Sequence, residues 1–278
     1  MTAEPLTVST LQSLLDGIAP FSLAESWDNV GLQVGDPRQE VNGILVALDP
    51  TEAVIQEAID RRLHTIVTHH PLLFHPLKSL HTDTPIGRIL KAALRHDLTL
   101  IACHTNLDLM ADGVSEALAS RLGLTATRPL APSQTGADRG FGRIGDLSAP
   151  QTGATFLANL PTAMGAEGVR LAGRLPATVR TVALCGGSGS ELAETARAAG
   201  ADLYITGEVK HSTARWTEDA GFCVIDAGHF ATENPVVPIL AEALRNACHG
   251  QGFTPTIAIT GKQTDPWQWV VPSRSKIT

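Results

Sequence analysis

Long apolar runs and basic clusters are both missing from this 278-residue chain. No segment approaches the roughly 20 apolar residues that a membrane-spanning helix needs. The N-terminal stretch carries Glu4 and no lysine-flanked apolar core, so we expect no secretory signal. The net charge is -7 and the positive residues do not cluster, which argues against nucleic acid or an anionic membrane as the partner.

Cysteine and aromatic residues are scarce as well. The four cysteines stand far apart without a paired motif, which argues against a disulfide framework or a thiolate zinc site and favours a reducing cytoplasm. Aromatic residues make up 4% of the chain and apolar residues 43%. We therefore expect a core of alanine, valine, leucine and isoleucine, as is typical of α/β proteins.

What the first half of the chain does contain is an alternation of apolar strands and amphipathic helices. Strands are predicted over residues 43–48, 65–68 and 98–103, with one helix capped by Thr51 and another over residues 85–96. Because strand–helix–strand units build parallel sheets, the fold class is predicted to be α/β.

Ligand-type side chains follow two of these strands, at the rim where open α/β sheets bind their ligands. His69 and His70 follow one strand, and His104 and Asp108 follow the next. A simpler interpretation is that one of the adjacent histidines caps a nearby group while the other is solvated. The recurrence at two strand ends favours the competing hypothesis, a metal or catalytic site.

The middle of the chain gives weaker signals. Residues 125–136 contain Pro129, Pro132, Ser133, Thr135 and Gly136 and predict a loop, whereas residues 152–160 fit either a helix or a strand. A strand over residues 179–184 runs into Gly186-Gly187-Ser188-Gly189, and a helix is predicted over residues 191–199. This glycine turn fits an anion-binding cradle or a tight turn without a ligand, and it matches no nucleotide motif.

Two later strands, over residues 202–206 and 222–226, also end in polar residues. His211 follows the first of them. His229 and Glu233 follow the second at a spacing of four, which places both side chains on one side of a helical turn.

Together these strand ends supply enough imidazoles and carboxylates for a pair of divalent cations, with Zn, Fe, Mn and Ni not distinguished. Glu233 is the best candidate for a bridging ligand, and Asp108 for a terminal one. Thr232 is predicted to cap the helix that follows. The candidate residues are His69, His70, His104, Asp108, His211, His229 and Glu233.

Several of these segments resemble the Nif-three-like proteins, a family often called GTP cyclohydrolase 1 type 2 homologues. The matching segments occur in the family's order over nearly the whole chain. They are Ser26-Trp27-Asp28-Asn29-Val30-Gly31-Leu32, Thr68-His69-His70-Pro71-Leu72, His104-Thr105-Asn106-Leu107-Asp108, Gly142-Arg143-Ile144-Gly145, Cys185-Gly186-Gly187-Ser188-Gly189, Tyr204-Ile205-Thr206-Gly207-Glu208 and Gly228-His229 with Glu233.

The resemblance implies two interleaved α/β domains, residues 1–125 plus 228–278 and residues 126–227, with a metal site in the cleft between them. It also implies two divalent metal ions and a homohexamer built as a trimer of dimers. His104 stands in a family motif but outside the implied ligand set. The implied metal ligands are His69, His70, Asp108, His229 and Glu233.

Two cations at such a site would present a bridging hydroxide to a polarised electrophile. We therefore predict a metal-dependent hydrolase for a small-molecule substrate, such as a purine nucleotide ring, a phosphoester or an amide-like bond. Glu233 and His69 would act through the metal-bound water. The alternative is a non-enzymatic metal-handling or interaction protein with a structural dinuclear site. In either case we expect a cytoplasmic protein.

Overall fold

The computed structural model describes residues 5–134 and 136–270. They form two β-sheets with helices packed on the faces of each sheet, so the predicted α/β class is confirmed. In the described part of the chain, every helix is too short or too polar to cross a membrane.

Eleven strands make up the two sheets in the described residues. In chain order they are β1 (Gly31–Val34), β2 (Gly43–Ala47), β3 (Thr65–Thr68), β4 (Thr99–Ala102), β5 (Leu124–Ser133), β6 (Gly136–Thr152), β7 (Arg170–Gly173), β8 (Thr178–Leu184), β9 (Leu203–Thr206), β10 (Cys223–Asp226) and β11 (Thr256–Ile259).

The helices lie between these strands and after them. In chain order they are α1 (Val8–Ile18), α2 (Glu52–Asp60), α3 (Pro85–Arg95), α4 (Thr105–Asp108), α5 (Val114–Arg121), α6 (Gly153–Met164), α7 (Ala193–Ala198), α8 (His211–Ala220), α9 (His229–Glu233) and α10 (Val236–Gly250). Short 3₁₀ turns cover Phe21–Leu23 and Ser190–Leu192.

The first sheet has the strand order β1-β4-β3-β2-β11. The inner strands pair in parallel and only β1 is antiparallel, because helical crossovers connect β2, β3 and β4. Alternate residues of β2 face opposite sides: Ile44 packs with α1 and α10, and Leu45 packs with α2 and α3. This double coverage explains why the strand reads as a continuous apolar run.

The second sheet has the order β5-β6-β8-β9-β10-β7, with β8, β9 and β10 parallel. Val182 and Ile225 face a core shared with α5 and α6, while Tyr204 and Phe222 face one shared with α7 and α8. In the chain, strands β1 to β4 of the first sheet precede all strands of the second sheet, and β11 follows them. The predicted domain limits stay a prediction.

The loop predicted over residues 125–136 is wrong. The chain there forms the edge strand β5 and the start of the long strand β6, paired antiparallel. Pro129 and Pro132 are tolerated because β5 lies at the sheet edge, where a missing amide donor costs little. Gly140 has φ 151 and lies so close to Pro132 that a Cβ would overlap it. The undecided residues 152–160 belong to helix α6, which Thr152 caps.

Arg143 of β6 fastens the second sheet to the segment around α4 and α5. Its side chain is 2% exposed. The Nε donates to Glu116 of α5 at 3.1 Å, and one terminal nitrogen donates to the carbonyls of Met110 and Ala111 at 2.6 and 3.1 Å. The other terminal nitrogen donates to two carbonyls of its own strand. The buried guanidinium thus donates to oxygens of Glu116, Met110, Ala111, Gly140 and Gly142.

We predict that Arg143→Met lowers the free energy of unfolding by about 3–5 kcal/mol, because it leaves Glu116 and several buried carbonyls without a donor. Arg143→Lys should recover only part of this loss, since an ammonium cannot reproduce the forked geometry. Denaturant unfolding measures both effects. The matched control is Arg215→Met, which removes an exposed pair with Glu218 and should change stability by less than about 0.5 kcal/mol. Equal losses in the two methionine variants would contradict this role of Arg143.

Candidate metal centre

The carboxyl ends of the parallel strands in the two sheets meet at one cleft. His69 and His70 follow β3, Asp108 ends α4, and α9 begins at His229 and ends at Glu233. The structure brings all five side chains together, although they come from both halves of the chain.

His69 is fully buried and held in one orientation. Its Nδ1 lies 2.9 Å from the carbonyl oxygen of Cys103. A carbonyl can only accept, so Nδ1 carries the proton and donates it. The Nε2 atom then presents a lone pair to the cleft, and it is buried without a hydrogen-bond partner. A buried unpartnered nitrogen calls for a cation or a proton at that position.

His70 and His229 are oriented in the same way by carboxylates. The Nδ1 of His70 lies 2.7 Å from Oδ1 of Asp49, and the Nδ1 of His229 lies 3.1 Å from Oε1 of Glu208. Both Nε2 atoms therefore face inward, where they are only 3.3 Å apart. Carboxylate–imidazole pairs of this kind orient metal-binding histidines and raise their basicity.

Glu233 occupies the point where the three imidazoles converge. Its Oε2 lies 2.9 Å from Nε2 of His70 and 2.8 Å from Nε2 of His229. Its Oε1 lies 3.9 Å from Nε2 of His69. The same Nε2 atom lies 3.7 Å from Oδ1 of Asp108. The carboxylate thus spans two groups of donors, one around His69 and Asp108 and one around His70 and His229. The Glu233 side chain is 6% exposed.

The electrostatics of this cluster favour positive charge. Burial lowers the pKa of His70, but hydrogen bonds to Asp49 and Glu233 outweigh burial and raise that pKa to about 10. Burial likewise opposes a charged His229, whose contact with Glu233 nevertheless raises its pKa to about 9. Burial would raise the pKa of Glu233, yet the histidines hold it well below its ordinary value. Burial raises the pKa of Asp108.

The donor set fits a divalent cation. Imidazole nitrogens and carboxylate oxygens are the ligands that borderline first-row ions prefer. His70, His229 and Glu233 form one group of atoms that could hold an ion, and His69, His70 and His104 form another. In each group the nitrogen and oxygen atoms that could bind an ion lie within 4.8 Å of one another. Asp108 lies outside both of these three-residue sets, but its Oδ1 is 3.7 Å from Nε2 of His69.

His104 packs against His69 and His70. Its ring centroid lies 5.1 Å from that of His69 and 5.5 Å from that of His70. The Nδ1 of His104 lies 2.9 Å from Oδ1 of the buried Asp28, whose Oδ2 accepts from the amide of Thr105 at 3.0 Å. Burial opposes the charge on Asp28, but these donors hold its pKa well below the usual range.

The structure places two other residues, His211 and Thr232, in positions that differ from the sequence predictions. His211 is exposed at the start of α8 and belongs to neither group that could hold an ion in the described residues. Thr232 does not cap the long helix, because α9 and α10 are separate and Thr232 lies inside α9. Its hydroxyl donates to the carbonyls of Gly228 and His229 and accepts from Gly187.

The glycine turn, Gly186–Gly189, supports Glu233 directly. The amide of Gly187 donates to Thr232 and that of Gly189 to Thr206, both at 3.0 Å, so these two donors are not free for an anion. Gly187 has φ 60, and a Cβ there would overlap Oε1 of Glu233. The tight-turn interpretation therefore explains this segment better than the anion cradle.

Sequence reasoning missed the outer carboxylates Asp49 and Glu208. Both follow parallel strands, β2 and β9, so the same rule that found the histidines could have found them. Of the aromatic residues that line the cleft, Trp27 lies in a segment that the sequence singled out, whereas Phe74 and Phe141 carry no comparable signal.

The sequence pattern that defines the Duf34/NIF3 (NGG1p interacting factor 3) family matches residues 6–266. The chain belongs to the Duf34/NIF3 family. A relative from Streptomyces coelicolor, named GTP cyclohydrolase 1 type 2 homologue, is 38% identical over 94% of this chain and 93% of its own. A relative of the same name from Clostridium acetobutylicum is 32% identical over 95% of this chain and 99% of its own.

A crystal structure of a Staphylococcus aureus protein matches this Duf34/NIF3 chain with a TM-score of 0.91 and 30% identity, over 96% of this chain and all of that one. A Bacillus cereus protein related to NIF3 gives the same TM-score at 25% identity. The expected family and fold are therefore confirmed.

We predict that Gly187→Ala abolishes metal binding while the chain stays folded, because the new Cβ would displace the Glu233 carboxylate from the centre. Elemental analysis after metal loading and circular dichroism measure the two properties. Gly221→Ala is the matched control: Gly221 has φ 62, and nothing lies within 4 Å of its Cβ position. If the two variants bind metal equally well, the Gly187–Glu233 contact does not govern the centre.

We predict that metal binding releases about two protons near pH 7, because the raised pKa values of His70 and His229 keep both rings protonated in the metal-free protein. The apparent affinity should therefore increase with pH up to about 9 and level off above about 10. Calorimetry in buffers of different ionisation enthalpy counts the protons. Asp49→Asn should reduce the count, since it removes a group that raises the pKa of His70.

The raised pKa of His70 also makes the stability of the metal-free protein depend on pH. The His70 contribution is fully present below the ordinary pKa of 6.5 and is lost as the pH rises through about 10. The melting temperature of metal-free protein should thus fall over this range, while that of loaded protein should not. Parallel pH profiles for the two forms would contradict the linkage.

Proposed function

We propose that the chain is a metal-dependent hydrolase whose centre holds two divalent cations, with cleavage of a carbon–nitrogen bond in a heterocyclic ring as its reaction class. One observation carries the proposal: three imidazoles, each anchored through Nδ1, direct Nε2 atoms at one buried carboxylate. The name shared by the relatives, GTP cyclohydrolase 1 type 2 homologue, supports the same reaction class.

The two groups of donors support a pair of ions. His69, Asp108 and Glu233 would hold one ion, and His70, His229 and Glu233 would hold the other. Bound cations of this kind act as Lewis acids and lower the pKa of a coordinated water. The anchoring carboxylates Asp49 and Glu208 keep the imidazoles in the tautomer that this ligation needs.

The cleft offers room for a small-molecule substrate beside the donors. Its volume is about 660 Å³, and His70, Asp108, His229 and Glu233 form its inner end. Pockets of roughly 300–1,000 Å³ are the usual size for small-molecule sites. The cytoplasmic location and the trimer-of-dimers hexamer are further proposals, which rest on the sequence and on the resemblance.

The test is turnover by metal-loaded protein on a panel of purine nucleosides, nucleotides, pterins and amides, followed by mass spectrometry. We expect His69→Ala and Glu233→Gln to lose bound metal and to reduce turnover by more than about 100-fold, since loss of even an outer partner of a ligand typically costs about 10–100-fold. His211→Ala is the control, because this exposed histidine lies outside the centre.

Folded, fully loaded protein that turns over nothing on the panel would contradict the hydrolase proposal. It would favour the non-enzymatic alternative, a metal-handling or structural centre. Melting temperatures with and without metal would then separate these two roles, because a structural centre stabilises the fold strongly and a handling site exchanges its ions.

A further inference from the structure

The mouth of the cleft is lined by exposed aromatic rings. The Trp27 side chain is 58% exposed and Phe74 is 38% exposed, with ring centroids 5.8 Å apart. The His104 ring stands edge-on to both, with centroid distances of 6.3 and 6.0 Å. Large exposed aromatic rings grouped in a concave site are typical of ligand binding, because planar rings stack on them.

These rings are held in place by polar contacts between their two loops. The side-chain amide of Asn29 donates to the carbonyl of Leu73 at 2.6 Å, and Oε1 of Gln33 accepts from the amide of Leu73 at 3.1 Å. Asn29 and Gln33 are themselves joined by a 2.8 Å bond from Nε2 of Gln33 to the Asn29 carbonyl. A wall fixed in this way loses little entropy when a ligand stacks on it.

The charges around the cleft do not suit a polyphosphate. No lysine or arginine lines it in the described residues, whereas two carboxylates outside the proposed ligand set do, Glu25 and Glu191. Phosphate groups are normally bound by guanidinium, ammonium or free backbone amides. The Gly187 and Gly189 amides already donate to threonine hydroxyls. Lys210, which borders the adjoining pocket, pairs with Glu191 at 3.9 Å.

We propose that the cleft binds an uncharged planar heterocycle, stacked on Trp27 with the tilted Phe74 ring against its side and its polar edge toward His70 and Glu233, in preference to a nucleoside triphosphate. The assignment of the inner end rests on the proposed function. The aromatic wall and the two outer carboxylates, Glu25 and Glu191, are independent of it. The resulting substrate class is a free base, nucleoside or pterin-like ring.

The test is calorimetric titration of metal-loaded protein with guanosine, adenosine, a neutral pterin and GTP. We expect at least one uncharged ring to bind, and GTP to bind no more tightly than guanosine. Trp27→Ala should weaken ring binding by about ten-fold, and Trp27→Phe should retain most of it, because stacking on an aromatic ring is lost only in the alanine variant. Since Trp27 is exposed, circular dichroism should show both variants folded.

The matched control is Trp267→Ala, which removes an exposed ring from the adjoining pocket and should leave binding unchanged. Three results would each overturn the proposal: no uncharged ring binds, GTP binds at least ten-fold more tightly than guanosine, or Trp27→Ala binds like the parent. Ring binding that depends on Trp27 but is not followed by turnover would refute the hydrolase proposal and leave the ring-binding proposal standing. Turnover that is unaffected by Trp27→Ala would refute only the aromatic wall.

Discussion

The buried carboxylate of Glu233 is the constraint on which the rest of the cleft depends. A carboxylate that is 6% exposed is unfavourable unless positive charge meets it. The structure offers two ways to supply that charge, protons on His70 and His229 or cations held between the same nitrogens. Because each imidazole is anchored through Nδ1, the rings cannot turn away, and the two solutions compete for the same lone pairs.

Much of the surrounding backbone serves to place this one group. Gly187 lies against Oε1 of Glu233, and a Cβ at Gly187 would overlap that oxygen. Gly207 lies against the Cα of His229 and the hydroxyl of Thr232, and a Cβ there would press against both. The short helix α9 carries the His229–Glu233 pair at a spacing of four and then breaks before α10. The break lets α9 lie across the glycine turn while α10 packs on the first sheet.

The parts of the site that the sequence predicted share a physical origin. Buried parallel strands are short apolar runs, and their carboxyl ends lie along one rim, so polar residues just after them are expected to meet. This reasoning located His69, His70 and the His229–Glu233 pair. The resemblance then implied a ligand set without His104, a distinction that the strand-end rule alone could not make and that stays a prediction.

The failures have equally specific causes. Residues 125–136 carry two prolines, Pro129 and Pro132, that are incompatible with a central strand, but β5 is an edge strand and its position could not be inferred from local composition. Thr232 has the residue type of a helix cap, yet tertiary contact with Gly187 uses its hydroxyl differently. Such outcomes depend on residues distant in the chain, which local patterns do not contain.

The segment around Trp27 links the two ends of the cleft. Trp27 points outward and is largely exposed, whereas the next residue, Asp28, has a fully buried side chain that fixes His104 and Thr105. The His104 ring in turn packs against His69 and His70. Asn29 and Gln33 join this segment to Leu73, so Trp27 and the carboxylate that orients His104 are held in one arrangement. Trp27 and Asp28 thus place one ring of the aromatic mouth and the carboxylate that supports His104 on two adjacent residues.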